Sequence, residues 1–159
     1  MASTTFSGPV TSTAGFISGS DSLVSVTANA TMTSAANAGR TMVLDIASGA
    51  TVTLPAASGT GNIYKFFVAT TVTSNNYIVQ VANSSDTMSG MAIVANDGGD
   101  TASIFETAAD TDTITMNGTT KGGILGAQVE IQDVASNKFS VTVRTAATGT
   151  EATPFSAAV

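Results

Sequence analysis

The chain has no cysteine, no histidine and no tryptophan among its 159 residues. Without cysteine it can form neither a disulfide nor a thiolate metal site. The same absences remove the commonest general base and two families of nucleophile. Glu106 and Asp110, or Asp110 and Asp112, remain as candidate carboxylate pairs, but glycosidases also need aromatic sugar platforms, which are scarce here. We therefore expect a protein that is not an enzyme and that uses no cofactor.

Charge is also scarce, because charged residues make up only 10% of the chain. Eleven acidic and five basic residues give a net charge of −6, which argues against nucleic-acid binding, since that needs clustered Lys and Arg. No run is long and apolar enough to cross a bilayer, and the N-terminus lacks the pattern of a signal peptide. We expect contact with neither nucleic acid nor membrane, and synthesis in a cytoplasm without a signal peptide.

Threonine, alanine, serine and glycine dominate, and the larger apolar residues follow strand-like patterns. Apolar and polar residues alternate over 127–132 and again over 138–144, which places one set of side chains on a core and the other in water. The polar stretch 133–137 between them is short enough for a hairpin loop, and Asn117-Gly118 is a second hairpin signal. About ten to twelve such strands with frequent turns predict an all-β protein, an antiparallel β-sandwich or jelly roll.

The run Asn62 to Ala69 is the most aromatic in the chain. It is apolar on both faces apart from Lys65, a pattern typical of a strand that is buried on both sides. We therefore expect this strand to be covered on both faces.

The chain divides into an N-terminal arm (1–20), a β-sandwich domain (21–145) and a C-terminal tail (146–159). The arm is uncharged and carries widely spaced apolar residues: Phe6, Pro9, Val10, Phe16 and Ile17. It is either an edge strand of the domain's own sheet or an extended segment that lies on a partner by strand addition. The tail is polar, with Phe155 as its lone apolar anchor, and we expect it to be ordered only where a neighbour covers it.

One acidic loop, Asp97-Gly98-Gly99-Asp100, is the candidate metal site. Calcium binds carboxylate and carbonyl oxygens of flexible loops, but the bidentate Glu of an EF-hand is missing here. Asp and Gly are also the default residues of a β-turn, which is the favoured interpretation. The Gly-rich stretches 58–61 and 121–123 do not lead into helices, so they are interpreted as turns rather than phosphate-binding loops.

Two long stretches resemble small β-rich virion proteins of tailed bacteriophages, and most of all capsid decoration (cement) proteins. They are TVTLPAASGTGNIYKFFVATTVTSNNYIVQVANSSDTMSG (Thr51 to Gly90) and DTDTITMNGTTKGGILGAQVEIQDVASNKFSV (Asp110 to Val141). The opening FSGPVTSTAGFISG is similar to N-termini of phage structural proteins. The resemblance covers most of the chain, rests on strand and turn patterns, and includes no catalytic signature.

The resemblance implies a protein on the outer surface of the virion head, commonly a homotrimer at a three-fold or quasi-three-fold position. Such proteins bridge neighbouring major capsid proteins, hold the shell against internal DNA pressure, and use no cofactor or small-molecule substrate. On this basis the apolar residues of the arm are expected to contact the capsid, with Phe155 as a tail contact. Subunit contacts would also complete a core that is thin in large side chains.

Two other classes of function remain. A head-fibre or tail-fibre domain that recognises a host-surface glycan would share the β-rich composition, although neither aromatic sugar platforms nor long shaft repeats are visible in the sequence. A secreted adhesin or surface-layer fragment is disfavoured by the missing signal peptide. Copy number separates the first two classes, because decoration proteins cover the head whereas fibres stand at a few vertices or on the tail.

Overall fold

A computed structural model describes residues 5, 7, 8 and 22–159; the five apolar residues predicted for capsid contact in the arm lie outside this part of the chain. Within it, twelve strands and one helical turn form two sheets. The elements are β1 (Leu23–Val26), β2 (Ala30–Thr31), α1 (Ser34–Asn37), β3 (Thr41–Leu44), β4 (Ala50–Thr53), β5 (Ile63–Val68), β6 (Tyr77–Gln80), β7 (Thr87–Ala95), β8 (Ala102–Glu106), β9 (Thr113–Met116), β10 (Gln128–Ala135), β11 (Lys138–Ala146) and β12 (Phe155–Ser156).

Sheet A has seven strands in the order β1-β3-β5-β10-β11-β7-β8, and sheet B has five in the order β12-β9-β6-β4-β2. The first six strands alternate between the two sheets. As a result β1, β3 and β5 stack in parallel in sheet A, while β2, β4 and β6 stack in parallel in sheet B. Each successive pair of strands therefore adds one strand to each of the two sheets.

The second half of the chain completes both sheets, and its longest strands, β7, β10 and β11, all belong to sheet A. The predicted hairpin is present as β10 and β11, which pair antiparallel with a register shift between Asp133 and Ala135. Strand β7 runs parallel to β11 over nine residue pairs, from Thr87 to Ala95. The all-β sandwich is thus confirmed, but its sheets are mixed, with five of ten pairings parallel. The jelly-roll alternative, which is built from antiparallel Greek keys, is not confirmed.

The core lies between the two sheets and follows the period-two pattern of the strands. Its largest fully buried side chains include Tyr64, Phe66, Tyr77 and Phe139. The Tyr77 hydroxyl is satisfied inside the protein, since it accepts a hydrogen bond from Ile46 N–H (3.0 Å) and has Ile46 O (2.7 Å) as an acceptor. Burial raises the pKa of Tyr77 above its usual value.

Strand β5 is covered on only one face, so the expectation of two-sided burial was wrong. Tyr64, Phe66 and Val68 are buried, whereas Lys65 is exposed and Phe67 is only half-buried. The reason is that sheet B packs against one face of sheet A, and alternate residues of β5 therefore point to the other face.

The Asn117-Gly118 turn does not join two strands of one hairpin, as the sequence suggested. It ends β9 in sheet B, and only an isolated bridge between Thr119 and Gly122 follows before β10 begins in sheet A. Gly118 has φ 76°, and a Cβ there would lie 1.8 Å from Val72 O. Glycine is required at this turn because a neighbouring loop passes directly against it.

The C-terminal segment belongs to the sandwich and is not a loose tail. Phe155 pairs with Ile114 of β9 and is only 7% exposed. Beyond it, Ala158 N–H (2.8 Å) and Val159 N–H (3.1 Å) donate to the Asp112 carboxylate. Phe155 therefore packs in the chain's own core, which corrects the expectation that it reaches a partner.

Candidate binding surfaces

The buried carboxylate of Asp133 binds a loop of its own chain. Its oxygens accept hydrogen bonds from the backbone N–H groups of Ser58 (3.1 Å), Gly59 (2.7 Å) and Thr60 (3.0 Å), and from the Thr60 hydroxyl (2.6 Å). Burial alone would raise the pKa of Asp133, but these hydrogen bonds outweigh burial and hold the pKa below its usual value. The Gly-rich stretch 58–61 is thus a turn that is fixed by an internal anion.

The remaining candidate carboxylates lie in different environments. Asp112 is buried and binds the C-terminal backbone, whereas Glu106 and Asp110 are exposed. Hydrogen bonds from Ala158, Thr113 and Val159 outweigh the effect of burial and lower the pKa of Asp112. Within residues 22–159 no group of three or more acidic, His or Cys side chains is placed to hold a metal ion.

The acidic loop that was the candidate calcium site forms the turn between β7 and β8. Asn96 O accepts a hydrogen bond from Gly99 N–H (3.1 Å), and Asp97 accepts one from Gly149 N–H (2.9 Å). Asp100 adopts φ 61°, a left-handed turn conformation. The geometry is that of a β-turn, as the sequence favoured.

The described residues include no helix of the length and apolarity needed to span a membrane.

The outer face of sheet A carries a contiguous apolar strip at one edge. It consists of Met91 and Ile93 on β7 and Ile104 on β8, which are 48%, 40% and 67% exposed. Ile93 and Ile104 are direct cross-strand partners, and Met91 lies two pairs further along on the same face, opposite Glu106. We call these three residues the edge strip.

Strand β8 lies at the margin of the core between the sheets. Phe105 and Ser103, on its inner face, are half-buried, whereas their partners on β7, Ala92 and Val94, are fully buried. Burial therefore falls off between β7 and β8. The inner face of the outermost strand is therefore less completely covered than that of β7, and Phe105 packs at the margin of the core.

The backbone of β8 is also open to another strand. Among the described residues, β8 is an edge strand of five residues that pairs only with β7, whereas β2 and β12, the edges of sheet B, have two residues each. Proteins usually protect edges by making them short, charged or covered. Glu106 is the only charged residue in β8, so this edge, together with the edge strip, has the features of a protein-contact surface.

A second feature of the outer face is a shallow cavity of about 380 Å³ over the middle strands. We call it the outer groove. Its outward-facing residues come from four adjacent strands: Thr41, Lys65, Phe67, Gln128, Glu130, Thr142 and Arg144. They form two cross-strand rows, because β5, β10 and β11 pair in register.

Positive charge is concentrated on this face although the whole chain is acidic. Lys65, Lys138 and Arg144 are three of the five basic residues, and all three project outward from β5 or β11. Lys65 Nζ lies 3.5 Å from Glu130 Oε2. In the part of the chain that the structure describes, Arg144 has no carboxylate within ion-pair distance.

Sequence reasoning missed both the edge strip and the outer groove. The alternation within 62–69 and within 102–106 was a usable signal, because it assigns Phe67 and Ile104 to one face of each strand. What the sequence did not show is that no other element among residues 22–159 covers this face. Comparisons with protein-family models, with curated proteins and with solved structures found no match for the chain.

Proposed function

We propose that the chain is a structural, non-catalytic virion protein that binds the outer surface of a phage capsid and stabilises the shell by bridging major capsid proteins. It acts as a homotrimer, without cofactor, substrate or nucleic acid, and reaches the shell from the host cytoplasm. The observation that carries the proposal is the edge strip on an unprotected strand. Such a surface is costly on a free monomer and is useful to a protein whose role is to contact other proteins.

The energetic argument rests on Ile104, which is 67% exposed. Fully burying an exposed Ile side chain contributes about 1.5–3 kcal/mol, so covering the rest of Ile104 contributes roughly 1–2 kcal/mol per subunit. Ile93 and Met91 add smaller amounts, because each is already half covered. In a closed ring of three subunits the strip of each copy contacts the next copy, and this contribution is made three times.

The N-terminal arm is proposed as the capsid contact, with its spaced apolar residues laid over neighbouring capsid proteins. Its sequence supports this role, because it combines apolar side chains with no charge over residues 1–20. The net charge of −6 also favours a protein that does not bind the packaged DNA. Trimer contact and capsid contact are thus assigned to different parts of the chain.

The test uses heads that lack the protein, purified protein, and two matched variants. Ile104→Lys places a charge in the edge strip, whereas Leu125→Lys changes an equally exposed apolar residue (66%) in the loop between β9 and β10. We expect wild type and Leu125→Lys to have three times the chain mass of 15.8 kDa by light scattering and to co-sediment with heads. Ile104→Lys should be a folded monomer that binds heads weakly. If the Ile104→Lys protein is still a trimer and still binds heads, the edge strip is not the contact between subunits.

The arm is tested separately by deleting residues 1–20. The truncated protein should fold and trimerise but no longer co-sediment with heads. Undiminished head binding by this protein would refute the arm as the capsid contact. It would not bear on the edge strip as the trimer contact.

A head-fibre or tail-fibre domain that recognises a host-surface glycan is the second candidate, and the outer groove is the observation that favours it. The two candidates differ in where the protein is found on the virion. A decoration protein covers the head, whereas a fibre domain occurs in few copies at vertices or on the tail.

A further inference from the structure

We propose that the outer groove binds a saccharide that carries a carboxylate, such as a uronic or sialic acid. Saccharide sites combine an aromatic face for stacking with polar groups that fix the hydroxyls. Here the aromatic side chain is Phe67, half-buried on the outer face of sheet A. The inference does not depend on the capsid role, because it rests on the side chains of the groove itself.

The first row of the groove sets the spacing of the site. Phe67 pairs with Gln128, and Gln128 pairs with Arg144, so these three residues lie side by side on β5, β10 and β11. Adjacent strands lie about 4.8 Å apart, which separates the backbones of Phe67 and Arg144 by roughly 10 Å. A sugar ring stacked on Phe67 would direct its neighbour along the row. The carboxylate of that neighbour would then reach the Arg144 guanidinium, with the Gln128 amide between them.

The second row supplies donors and acceptors for hydroxyl groups. Lys65 and Glu130 are cross-strand partners and form an ion pair, and Thr41 and Thr142 stand at either end of this pair. Since Glu130 offsets the charge of Lys65, the net positive charge of the groove comes from Arg144. A guanidinium binds a carboxylate in a bidentate manner, so Arg144 is the group that selects an anionic sugar over a neutral one.

Other occupants fit the groove less well. A nucleic-acid backbone in the groove would meet Arg144 and the paired Lys65 on a chain of net charge −6, too little positive charge for phosphate binding. A second copy of the chain would need an apolar centre for its contact. The edge strip on β7 and β8 supplies a contiguous apolar centre on this face, whereas the groove is lined mostly by polar side chains.

The test measures binding of three acidic oligosaccharides to the full chain by NMR titration and calorimetry. They are a glucuronate-containing hyaluronan tetrasaccharide, trigalacturonate and sialyllactose, compared with neutral chitotetraose, maltotriose and lactose. We expect at least one acidic ligand to bind and to shift amide signals of β5, β10 and β11. Its neutral counterpart should bind at least about tenfold more weakly, the effect of losing one hydrogen bond to a charged group.

Three variants assign the binding to the groove. Phe67→Ala and Arg144→Gln should each weaken binding at least about tenfold. Lys138→Gln removes an exposed charge from the same strand and face, but outside the groove, and should change affinity less than about twofold. Circular dichroism checks that all three fold, and Arg144→Gln should still form trimers and bind heads, which separates this inference from the proposed function.

Several results would overturn the inference. Binding of none of the three acidic ligands at 10 mM, a concentration at which even a Kd of about 1 mM gives near saturation, would refute it. Equal affinity for acidic and neutral ligands, or equal loss in Arg144→Gln and Lys138→Gln, would do so as well. A lower molar mass for Arg144→Gln would show that another subunit occupies the groove.

Discussion

Replacing Asp133 with Asn is the sharpest test of how this sandwich is held together. The carboxylate accepts three backbone N–H groups and one hydroxyl from residues 58–60 while only 3% exposed. An Asn side chain keeps one acceptor oxygen and turns the other position into a donor. That donor faces Thr60 N–H, which loses its partner, and the remaining bonds lose the help of the negative charge.

The expected cost follows from these contacts. One buried donor left unpaired costs about 1–3 kcal/mol, and weakening the bonds that remain adds roughly 1 kcal/mol. We therefore expect Asp133→Asn to lower the free energy of unfolding by about 2–4 kcal/mol and the Tm by roughly 5–15 °C. Urea unfolding at pH 7, followed by circular dichroism, measures the change. Asp97→Asn is the control, because Asp97 is exposed and accepts one backbone bond, and it should cost less than about 1 kcal/mol.

The pH dependence gives the same prediction an independent check. The folded-state pKa of Asp133 lies below its unfolded value of about 3.9. The stability from its ionisation is therefore fully present above that unfolded value and is lost as the pH falls through the folded pKa. The stability difference between wild type and Asp133→Asn should narrow as the pH falls below about 4. A difference under about 0.5 kcal/mol at pH 7, or one that does not narrow in acid, would refute the reasoning.

Three further predictions test other parts of the fold by urea unfolding. Gly118→Ala should destabilise more than Gly61→Ala, since both glycines have φ 76° but only Gly118 places a new Cβ against Val72 O; equal costs would show that the clash relaxes. Tyr77→Phe should cost about 1–3 kcal/mol by leaving Ile46 N–H unpaired, and a neutral effect would mean that water replaces the hydroxyl. Asp112→Asn should lower the free energy of unfolding above about pH 4 and increase amide exchange near the C-terminus. Unchanged exchange would contradict the role of Asp112 as the hydrogen-bond acceptor that holds Ala158 and Val159.

Local patterns predicted the class of fold, because alternation of apolar and polar residues is written directly into each strand. The hairpin of β10 and β11 was predictable from residues 127–144 for this reason. The parallel pairings of β1, β3 and β5 were not, since they join residues separated by about twenty positions and have no local turn signal.

The wrong expectations for β5 and for Phe155 share one physical cause, which is that a sequence does not show what covers a surface. Phe67 and Phe155 are both apolar residues in short strands, yet one faces outward over the groove and the other is buried against β9. Which of them is covered depends on the length and order of the opposing sheet. The acidic loop at Asp97 and Asp100 was predictable as a turn, because its chemistry is local.

Cryo-electron microscopy of virions from a phage that encodes this chain tests the central claim most directly. The account predicts density for the protein over the whole outer surface of the head, in three-fold clusters that bridge neighbouring major capsid proteins. Heads of a deletion mutant should lack this density and release their DNA more readily on heating. Density confined to a few vertices or to the tail, or none on the virion, would contradict the decoration role.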